Sequence, residues 1–384
     1  MRFIVLGAGM QGAACAYDLL QHPDTEYVTL VDQDAALIEQ VGKRLNSDQV
    51  RSVIIDCSDS KALQGHIKDH HVVVSALPYR LNLAAAQAAC EAGVNFVDMG
   101  GNIETVLAEL RLAKRAREKD ICLIPDCGLA PGLANVLVAD AVAELDDISD
   151  VRIRVGGLPA NPRAPWDYML VFSFEGLINE YTESAAILRD WNRCEVDVLT
   201  EDEPIAFPDP VGDCEASYTS GGSSTLPWTY AGRIRNLDYK TVRYPGHYEK
   251  LRALRSLGFF DTEKIQVRGQ EVAPRDVLQT LMQSKLSFPG EPDVVVVRIE
   301  SEGTRQGKPT VLCHEMMDYR DEETGLTAMM RTTSFPVSIV AQMIADGTIS
   351  KKGAFPPEIV VPPTAMISEL ERRGVFVRRI FKNK

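Results

Sequence analysis

The sequence predicts an α/β protein of two domains: a Rossmann doubly wound parallel sheet, and a second α+β domain whose sheet is largely antiparallel. Its 384 residues exceed the length of one typical domain. Strand-like and helix-like segments alternate through the first third of the chain, which indicates parallel βαβ order. Later strand-like segments are joined by hairpin-like turns, which indicates antiparallel pairing.

A glycine-rich loop follows the first predicted strand. The apolar run 3–6 leads into Gly7, Gly9 and Gly12, in the spacing GxGxxG, and a helical pattern covers 10–20. Gly7 permits the tight turn, Gly9 lets the backbone approach a pyrophosphate, and Gly12 lets the helix lie close to the strand. The helix N-terminus adds N–H donors for the phosphates. The residues predicted to contact a dinucleotide here are Gly7, Gly9, Met10, Gln11 and Gly12.

A carboxylate at the end of the second predicted strand favours NAD over NADP. The strand 27–31 ends in Asp32, twenty residues after Gly12, where an acidic residue binds the ribose hydroxyls. Asp32 would repel a 2′-phosphate, and Gln33 and Asp34 bring no positive charge to offset this repulsion. We therefore expect NAD as the cofactor.

Four more strand-like runs continue the parallel sheet, at 52–55, 72–76, 96–99 and 121–124. Ligands of such sheets bind at the carboxyl ends of the strands. We therefore expect the cofactor and the reaction centre to be lined by Asp56, Ala76, Leu77, Pro78, Tyr79, Asp98 and Asp126. Helix capping is an alternative role for Asp56 and Asp98. Asp126 is the stronger candidate for the active site, because it lies between a buried strand and the turn-forming segment CGLAPG.

The rest of the chain predicts the second domain. Strand-like runs cover 151–155, 294–301, 311–319 and 326–332, and the last three are connected by the turns EGTRQGK and RDEETG. A final helix is expected to begin at Ser334, with an apolar face that suits packing against another domain.

Two polar segments of this second domain are candidates for binding a substrate. FSFEGLINEY contains Glu175 at the start of a helical pattern, and TSGGSST offers hydroxyl and backbone N–H groups. In TVRYPGH, Arg243 ends a strand, where its planar fork suits a carboxylate. The alternatives are a surface ion pair for Arg243, a solvated or satisfied imidazole for His247, and a flexible loop for the serine-rich segment.

Composition argues against several classes of partner. The net charge is −13, and basic residues are not interleaved with aromatic ones, so we expect no nucleic-acid partner. The N-terminal apolar run is too short for a signal peptide or a membrane span, so we expect a cytoplasmic protein without a membrane contact. Eight cysteines without CxxC pairs predict buried thiols rather than disulfides or a metal site.

Several motifs, in this order, resemble those of the saccharopine dehydrogenase-like family: SALPYRLN, VDMGG, IPDCGLAPG, FSFEGLINEY, YTSGGSSTL, KTVRYPGH and RTTSFPVSIVAQMIADG. The resemblance extends from end to end. It implies a nucleotide-binding domain formed by 1–127 and 333–384, interrupted by a substrate-binding and dimerisation domain at 128–332. A homodimer or higher homo-oligomer is expected. Arg243 corresponds to an arginine of the substrate pocket in similar enzymes.

Within the family the chain looks most like members that use NAD to deaminate the ε-carbon of L-lysine, which yields a semialdehyde that cyclises to piperideine-6-carboxylate. Glu175 stands where saccharopine reductases have a WSPRG-like pattern, and an acidic residue suits an amine substrate. Alternatives are a saccharopine or carboxynorspermidine dehydrogenase and, more remotely, a non-catalytic NAD-binding protein. The expected proton acceptor is Asp126 first and Glu175 second, with Tyr79 also at the reaction centre. The expected substrate-binding residues are Gly222, Ser223, Thr225, Arg243, Tyr244 and His247.

Overall fold

The computed structural model describes residues 1–383. The first part of the chain alternates strands with helices. Its strands are β1 (Arg2–Leu6), β2 (Tyr27–Asp32), β3 (Val50–Ile54), β4 (Val72–Ser75), β5 (Asn95–Asp98) and β6 (Cys122–Ile124). Its helices are α1 (Met10–Gln21), α2 (Ala35–Leu45), α3 (Ser60–Ile67), α4 (Asn82–Ala92), α5 (Ile103–Leu110) and α6 (Ala113–Glu118), with a 3₁₀ turn at Tyr79–Leu81.

The second part of the chain is richer in strands. Its elements are α7 (Leu133–Glu144), β7 (Asp147–Pro159), α8 (Phe174–Glu180), β8 (Ala185–Arg189), β9 (Asn192–Val196), β10 (Glu203–Ala206), β11 (Asp213–Tyr218), α9 (Leu226–Thr229), β12 (Asn236–Arg243), α10 (His247–Ser256), β13 (Ile265–Val267), β14 (Gln270–Val272), α11 (Pro274–Leu286), β15 (Asp293–Arg305) and β16 (Lys308–Tyr319). The C-terminal segment contains α12 (Ala328–Ala345), β17 (Gly353–Ala354), α13 (Pro357–Val360), α14 (Pro363–Arg372) and β18 (Arg378–Asn383).

The first sheet is parallel throughout, in the order β17-β6-β5-β4-β1-β2-β3. Its central strands are buried on both faces, which explains why β1 and β4 are continuous apolar runs. The order reverses beside β1, so the loop after β1 lies at the switch point where such sheets bind ligands. The predicted Rossmann-type sheet is confirmed.

The second sheet is mixed and mostly antiparallel, in the order β10-β11-β12-β7-β15-β16-β18. Only the pair of β12 and β7 is parallel along this path of described strands. The β8–β9 hairpin adds to β12, and β13 with β14 forms a small separate hairpin. The predicted second domain with a largely antiparallel sheet is therefore confirmed.

The predicted strand at 326–332 is wrong, because α12 already begins at Ala328. The Thr327 hydroxyl accepts the N–H of Met330, and the buried Asp293 carboxylate accepts the N–H groups of Ala328 (2.7 Å) and Met329 (2.9 Å). A carboxylate at a helix N-terminus satisfies donors that have no partner within the helix. The helix therefore begins here because of Asp293 on β15, a residue that lies outside the segment whose pattern predicted a strand.

The C-terminal segment is shared between the sheets. From α12, the Ser334 hydroxyl donates to the Gln11 carbonyl oxygen (2.8 Å) beside the glycine loop, and β17 extends the first sheet. β18, in contrast, pairs with β16 in the second sheet. This differs from the expectation that all of 333–384 belongs to the nucleotide-binding domain. Arg379 helps to fix β18, because its guanidinium contacts the carboxylates of Asp140 (2.9 Å) and Glu144 (2.7 Å) on α7. Within residues 1–383, no helix is long and apolar enough to cross a membrane.

We predict that Asp293→Ala lowers the free energy of unfolding by about 1–2 kcal/mol, because it removes the acceptor for two N–H groups at the start of α12. Asp293→Asn keeps one acceptor oxygen and should lose less. Urea unfolding followed by circular dichroism measures both variants. Unfolding free energies equal to that of the wild type would show that Asp293 does not stabilise α12.

Candidate active site

A cleft of about 460 Å³ is lined by residues of both sheets. One side is formed by the glycine loop and by the ends of β4 and β5, and the other by α8, β12 and the loop after β11. The predicted site residues that line it are Gly9, Met10, Gln11, Ala76, Leu77, Pro78, Tyr79, Glu175, Gly222 and Arg243. Residues far apart in the sequence therefore meet in one cavity, as expected for an enzyme that brings a cofactor and a substrate together.

The glycine loop has the geometry that a dinucleotide requires. Gly7 has a positive φ of 96°, and a Cβ atom there would lie 2.8 Å from the Ala76 carbonyl oxygen. A Cβ atom on Gly12 would lie 1.8 Å from the Gly7 carbonyl oxygen, whereas a Cβ atom on Gly9 would meet nothing within 4 Å. The tight turn predicted at Gly7 and the close helix contact predicted at Gly12 are confirmed, and the open space at Gly9 fits the approach of a pyrophosphate.

Asp32 lies against this loop. Its carboxylate accepts the N–H groups of Ala8 (2.8 Å) and Asp34 (3.0 Å). A negative charge therefore stands at the end of β2, beside the loop, where the fingerprint places the ribose-binding residue. The loop and Asp32 together fit a nicotinamide dinucleotide. Asp56 differs, because its exposed carboxylate accepts the Ser58 N–H (2.8 Å) outside the cleft, a bond that lowers its pKa.

Asp98 and Asp126 lie beneath the floor of the cleft. A Cβ atom on Gly100 would stand 1.7 Å from Asp126 Oδ1, so this glycine covers the Asp126 carboxyl group directly. The Ser224 hydroxyl donates to the other Asp126 oxygen, and Asp98 Oδ1 accepts the N–H groups of Gly100 (2.6 Å) and Asp126 (3.0 Å). The two carboxyl groups thus hold the floor together.

Burial raises the pKa of Asp126 well above its usual range, and the neighbouring charge of Asp98 raises it further. Burial also raises the pKa of Asp98, to about 6. Asp126 is 1% exposed and its carboxyl group is covered by Gly100, so it makes no direct contact with a substrate in the cleft. This corrects the expectation that Asp126 is the first choice of proton acceptor.

Tyr79 and Glu175 line the cleft from opposite domains. Glu175 lies at the start of α8, with Ser173 capping that helix, and its carboxylate pairs with Arg80 (2.9 Å). Both charged side chains are about half exposed, so the pair is a weak solvent-accessible link between the domains. The Tyr79 ring packs on Gly101, and burial raises the pKa of its hydroxyl.

Arg243 is the buried cation of the cleft. It ends β12 with only 2% of its surface exposed, and its Nη2 donates to Glu180 Oε2 (3.2 Å) at the end of α8. Its Nη1 donates to the Val242 carbonyl oxygen (3.0 Å), while its Nε has no partner among the described residues. Burial raises the pKa of Glu180 to about 7, even though the Arg243 charge opposes this rise. Arg243 is therefore paired inside the molecule, and not at the surface.

Aromatic groups enclose the Arg243 guanidinium. Its central carbon lies 5.2 Å from the centre of the Tyr168 ring, a cation–π contact. Tyr181 lies nearby, and its hydroxyl is 3.1 Å from His247 Nε2. Burial and the Arg243 charge lower the pKa of His247 well below its usual value, so the imidazole is neutral. His247 does not line the cleft, which corrects its predicted contact with substrate.

Three other predicted contacts point away from the cleft. Tyr244, the residue after Arg243, donates its hydroxyl to the Pro159 carbonyl oxygen (3.2 Å) and packs in a separate apolar cluster. The Ser223 hydroxyl donates to the Ala186 carbonyl oxygen (3.0 Å), and the Thr225 hydroxyl donates to the buried carboxylate of Glu358 (2.7 Å). The Ser223 and Thr225 hydroxyl groups hold the serine-rich loop in place.

Glu180 is the site residue that the sequence reasoning missed. It lies within the segment FSFEGLINEY, of which only Glu175 is predicted from the sequence as a candidate. Gly176 and Glu180 are four residues apart on α8 and both line the cleft. Helical i, i+4 spacing from the glycine is the signal that would have found it.

The glycine loop, Asp32 and the two-sided cleft define a nicotinamide-nucleotide-dependent oxidoreductase. The chain belongs to the saccharopine dehydrogenase family: the family model described as "Saccharopine dehydrogenase NADP binding domain" matches residues 3–124, and that described as "Saccharopine dehydrogenase C-terminal domain" matches residues 128–375. The family resemblance inferred from the motifs is confirmed.

Named relatives are distant but cover most of the chain. Alpha-aminoadipic semialdehyde synthase of Bos taurus is 24% identical over 93% of this chain, which spans only 45% of that relative's length. Carboxyaminopropylagmatine dehydrogenase of Synechocystis is 21% identical and matches over 97% of this chain and 96% of its own. The solved structure of saccharopine dehydrogenase (L-Glu forming) from Saccharomyces cerevisiae superposes with a TM-score of 0.80 at 19% identity, covering 99% of both chains.

We predict that Asp126→Asn gains stability relative to the wild type as pH rises from about 5 to about 7. A carboxyl group whose pKa is raised by folding stabilises the fold at low pH, and this stability is lost as pH rises towards the raised value. The unfolding free energy of the wild type falls by at most about 1.4 kcal/mol per pH unit from this group. Asparagine has no titrating proton, so the variant does not show this fall.

Urea unfolding at several pH values measures this difference. Asp56→Asn is the matched control, because the lowered pKa of Asp56 keeps it ionised across the same range. Curves for the wild type and Asp126→Asn that run parallel with pH would contradict a protonated Asp126.

Proposed function

We propose that the protein uses NAD to oxidise the carbon–nitrogen bond at the ε-carbon of L-lysine, the activity of an L-lysine 6-dehydrogenase. The charge of the cleft supports this most directly. Among its described lining residues, Arg243 is the one cationic side chain, while Glu175, which pairs with the adjacent Arg80, and Glu180 bring two carboxyl groups. This balance suits a substrate with one carboxylate and amine groups. Saccharopine carries three carboxylates, and the described lining offers them a single cation.

Amine oxidation requires a deprotonated nitrogen, because the lone pair must be available as the adjacent carbon loses a hydride. A free lysine ε-amine has a pKa of about 10.4, so the site must remove a proton. We assign this role to Glu175, with Tyr79 opposite it. The reason is that Glu180 is paired with the buried Arg243, whereas the pair of Glu175 with Arg80 is about half exposed. Bound NAD supplies the hydride acceptor.

The oxidised substrate is an imine, which has lost two electrons and two hydrogens relative to the amine. Water adds to its carbon and ammonia leaves, giving the semialdehyde. Condensation of this aldehyde with the α-amine expels water and gives piperideine-6-carboxylate. The chain's own residues need only hold the carboxylate, take the proton and admit water.

NAD is the proposed cofactor because of Asp32. The family model for residues 3–124 is described as NADP-binding. In this chain the Asp32 carboxylate lies at the end of β2 with its oxygens turned to the loop N–H groups of Ala8 and Asp34. A 2′-phosphate bound there would meet a negative charge without a cation to offset it.

A carboxylated secondary amine is the second candidate substrate. The Synechocystis relative, which matches over nearly its whole length, is named for such a compound. A single carboxylate and additional basic nitrogens fit the same charge balance of the cleft.

Purified protein incubated with NAD and L-lysine should produce NADH, seen by the absorbance of the reduced nicotinamide, together with ammonia. Saccharopine and a carboxylated polyamine are tested in parallel, each with NAD and with NADP. Turnover of either compound without turnover of L-lysine would reject the lysine assignment and identify the substrate class instead.

We predict that Asp32→Asn lowers the ratio of kcat/KM with NAD to kcat/KM with NADP roughly tenfold or more, because it removes the charge that repels the 2′-phosphate. Asparagine keeps an oxygen for the Ala8 N–H, so the loop should stay in place. Asp34→Asn is the control: it removes an equal charge from a residue whose side chain caps α2. Equal effects of the two variants would argue against a specific role for Asp32.

A further inference from the structure

We propose that Glu180, which is paired with the substrate-pocket arginine Arg243, binds the α-ammonium group of the substrate while the substrate carboxylate lies on Arg243. This inference rests on the proposed function and extends it, since it requires an amino acid rather than any carboxylated amine. Glu180 is then a specificity-determining residue.

The geometry of the pair supports two adjacent binding points. Glu180 ends α8, Arg243 ends β12, and their side chains meet at 3.2 Å in the wall of the cleft. An α-amino acid carries its carboxylate and its ammonium group on one carbon, so it presents opposite charges at similarly close spacing. A neighbouring anion and cation are the complement of such a zwitterion.

Each partner keeps free hydrogen-bonding capacity. Nη1 and Nη2 of Arg243 each donate one N–H within the protein, which leaves a second N–H on each nitrogen, whereas Nε is fully buried. Glu180 accepts through Oε2, and among residues 1–383 no donor is bonded to its Oε1, although about a quarter (23%) of the side chain is exposed. A ligand can therefore bind both groups without breaking the ion pair.

The backbone holds Glu180 in a fixed position. The Glu180 carbonyl oxygen accepts the N–H of Ser220 (2.9 Å), and the Ser220 hydroxyl donates to the Asn179 carbonyl oxygen (2.7 Å). The Asn179 amide in turn donates to the Gly101 carbonyl oxygen (3.0 Å) of the first domain. The end of α8 is thus tied to both sides of the cleft, and a preorganised pair discriminates better between ligands than a mobile one.

The surroundings set the charge of Glu180. The groups that face it are Arg243, Tyr168, Tyr181, Tyr239 and Tyr248. The pKa values of these tyrosines are all raised by burial, so Arg243 is the one charged group among them. Burial raises the pKa of Glu180 from 4.5 to about 7. Because an ammonium ligand needs the ionised carboxylate, amino-acid binding below about pH 7 should release a proton.

Three ligands distinguish binding at Arg243 from binding at Glu180. L-Lysine carries both groups, ε-aminocaproate lacks the α-amine, and cadaverine lacks the carboxylate. Binding to the NADH-loaded protein, in which the cofactor can accept no hydride, is measured by isothermal titration calorimetry, so the result does not depend on turnover. A site built to bond a polar group rejects analogues without it, since its own buried groups stay unpaired. The wild type should bind L-lysine at least about tenfold more tightly than either analogue.

Glu180→Gln should weaken L-lysine binding about 10- to 100-fold and leave ε-aminocaproate unchanged or tighter. Arg243→Lys keeps the charge but loses the planar fork, and should reduce the preference for L-lysine over cadaverine. Glu183→Gln is the matched control, because Glu183 follows α8, accepts from Asn102 (3.2 Å) and does not line the cleft. The proton released on binding, found by repeating the titration in buffers of different ionisation enthalpy, should disappear in Glu180→Gln alone.

The outcomes separate this inference from the proposed function. Binding of L-lysine that depends on Glu180, without its oxidation, would support the amino-acid head site and reject lysine oxidation. Oxidation of L-lysine with the same preference over ε-aminocaproate in Glu180→Gln as in the wild type would overturn the head site and leave the function standing. Failure of L-lysine to bind at all would overturn the head site.

Discussion

The buried guanidinium of Arg243 is the constraint around which the second half of the site is organised. A buried charge without a partner would cost several kcal/mol, so the interior must supply acceptors and an aromatic face. It does so with the Glu180 carboxylate, the Val242 carbonyl oxygen and the Tyr168 ring. These groups come from α8, β12 and the segment between β7 and α8, so one charge brings three parts of the chain together. Burial, together with this charge, lowers the pKa of His247 well below its usual value.

A second set of buried polar contacts joins the two sheets beneath the cleft. Ser224 donates to Asp126, and Thr225 and Thr229 donate to Glu358 of α13 (2.7 and 2.6 Å). Buried hydroxyl and carboxyl groups of this kind are stable only when each finds its partner. The serine-rich loop therefore has a structural task, and Ser220, Gly221 and Gly222 are its residues that line the cleft. A cleft held in this way has a defined width, which both cofactor and substrate binding require.

Prediction succeeded where the pattern is local. The spacing of Gly7, Gly9 and Gly12 specifies a tight turn, open space for a pyrophosphate and close packing of α1 on β1. These features involve only β1, α1 and the end of the adjacent strand β4. It failed where a distant group decides. The strand-like segment 326–332 is helical because Asp293, on another strand, binds the first N–H groups of α12. The motif TVRYPGH likewise does not reveal that Tyr244, next to Arg243, packs in an apolar cluster away from the cleft.

The sequence by itself determined the Rossmann-type sheet, the acidic residue beside its glycine loop, the family, and the arginine of the substrate pocket as a candidate. These follow from periodicity and from residue types at short, fixed spacings, which act through the backbone of one segment. Only the tertiary structure decided which carboxyl groups face the cleft: Gly100 covers Asp126, whereas Glu180 meets Arg243 at 3.2 Å. The reason is that burial and the charge of a partner set the accessibility and the pKa of a carboxyl group, and both arise from segments that are distant in the chain.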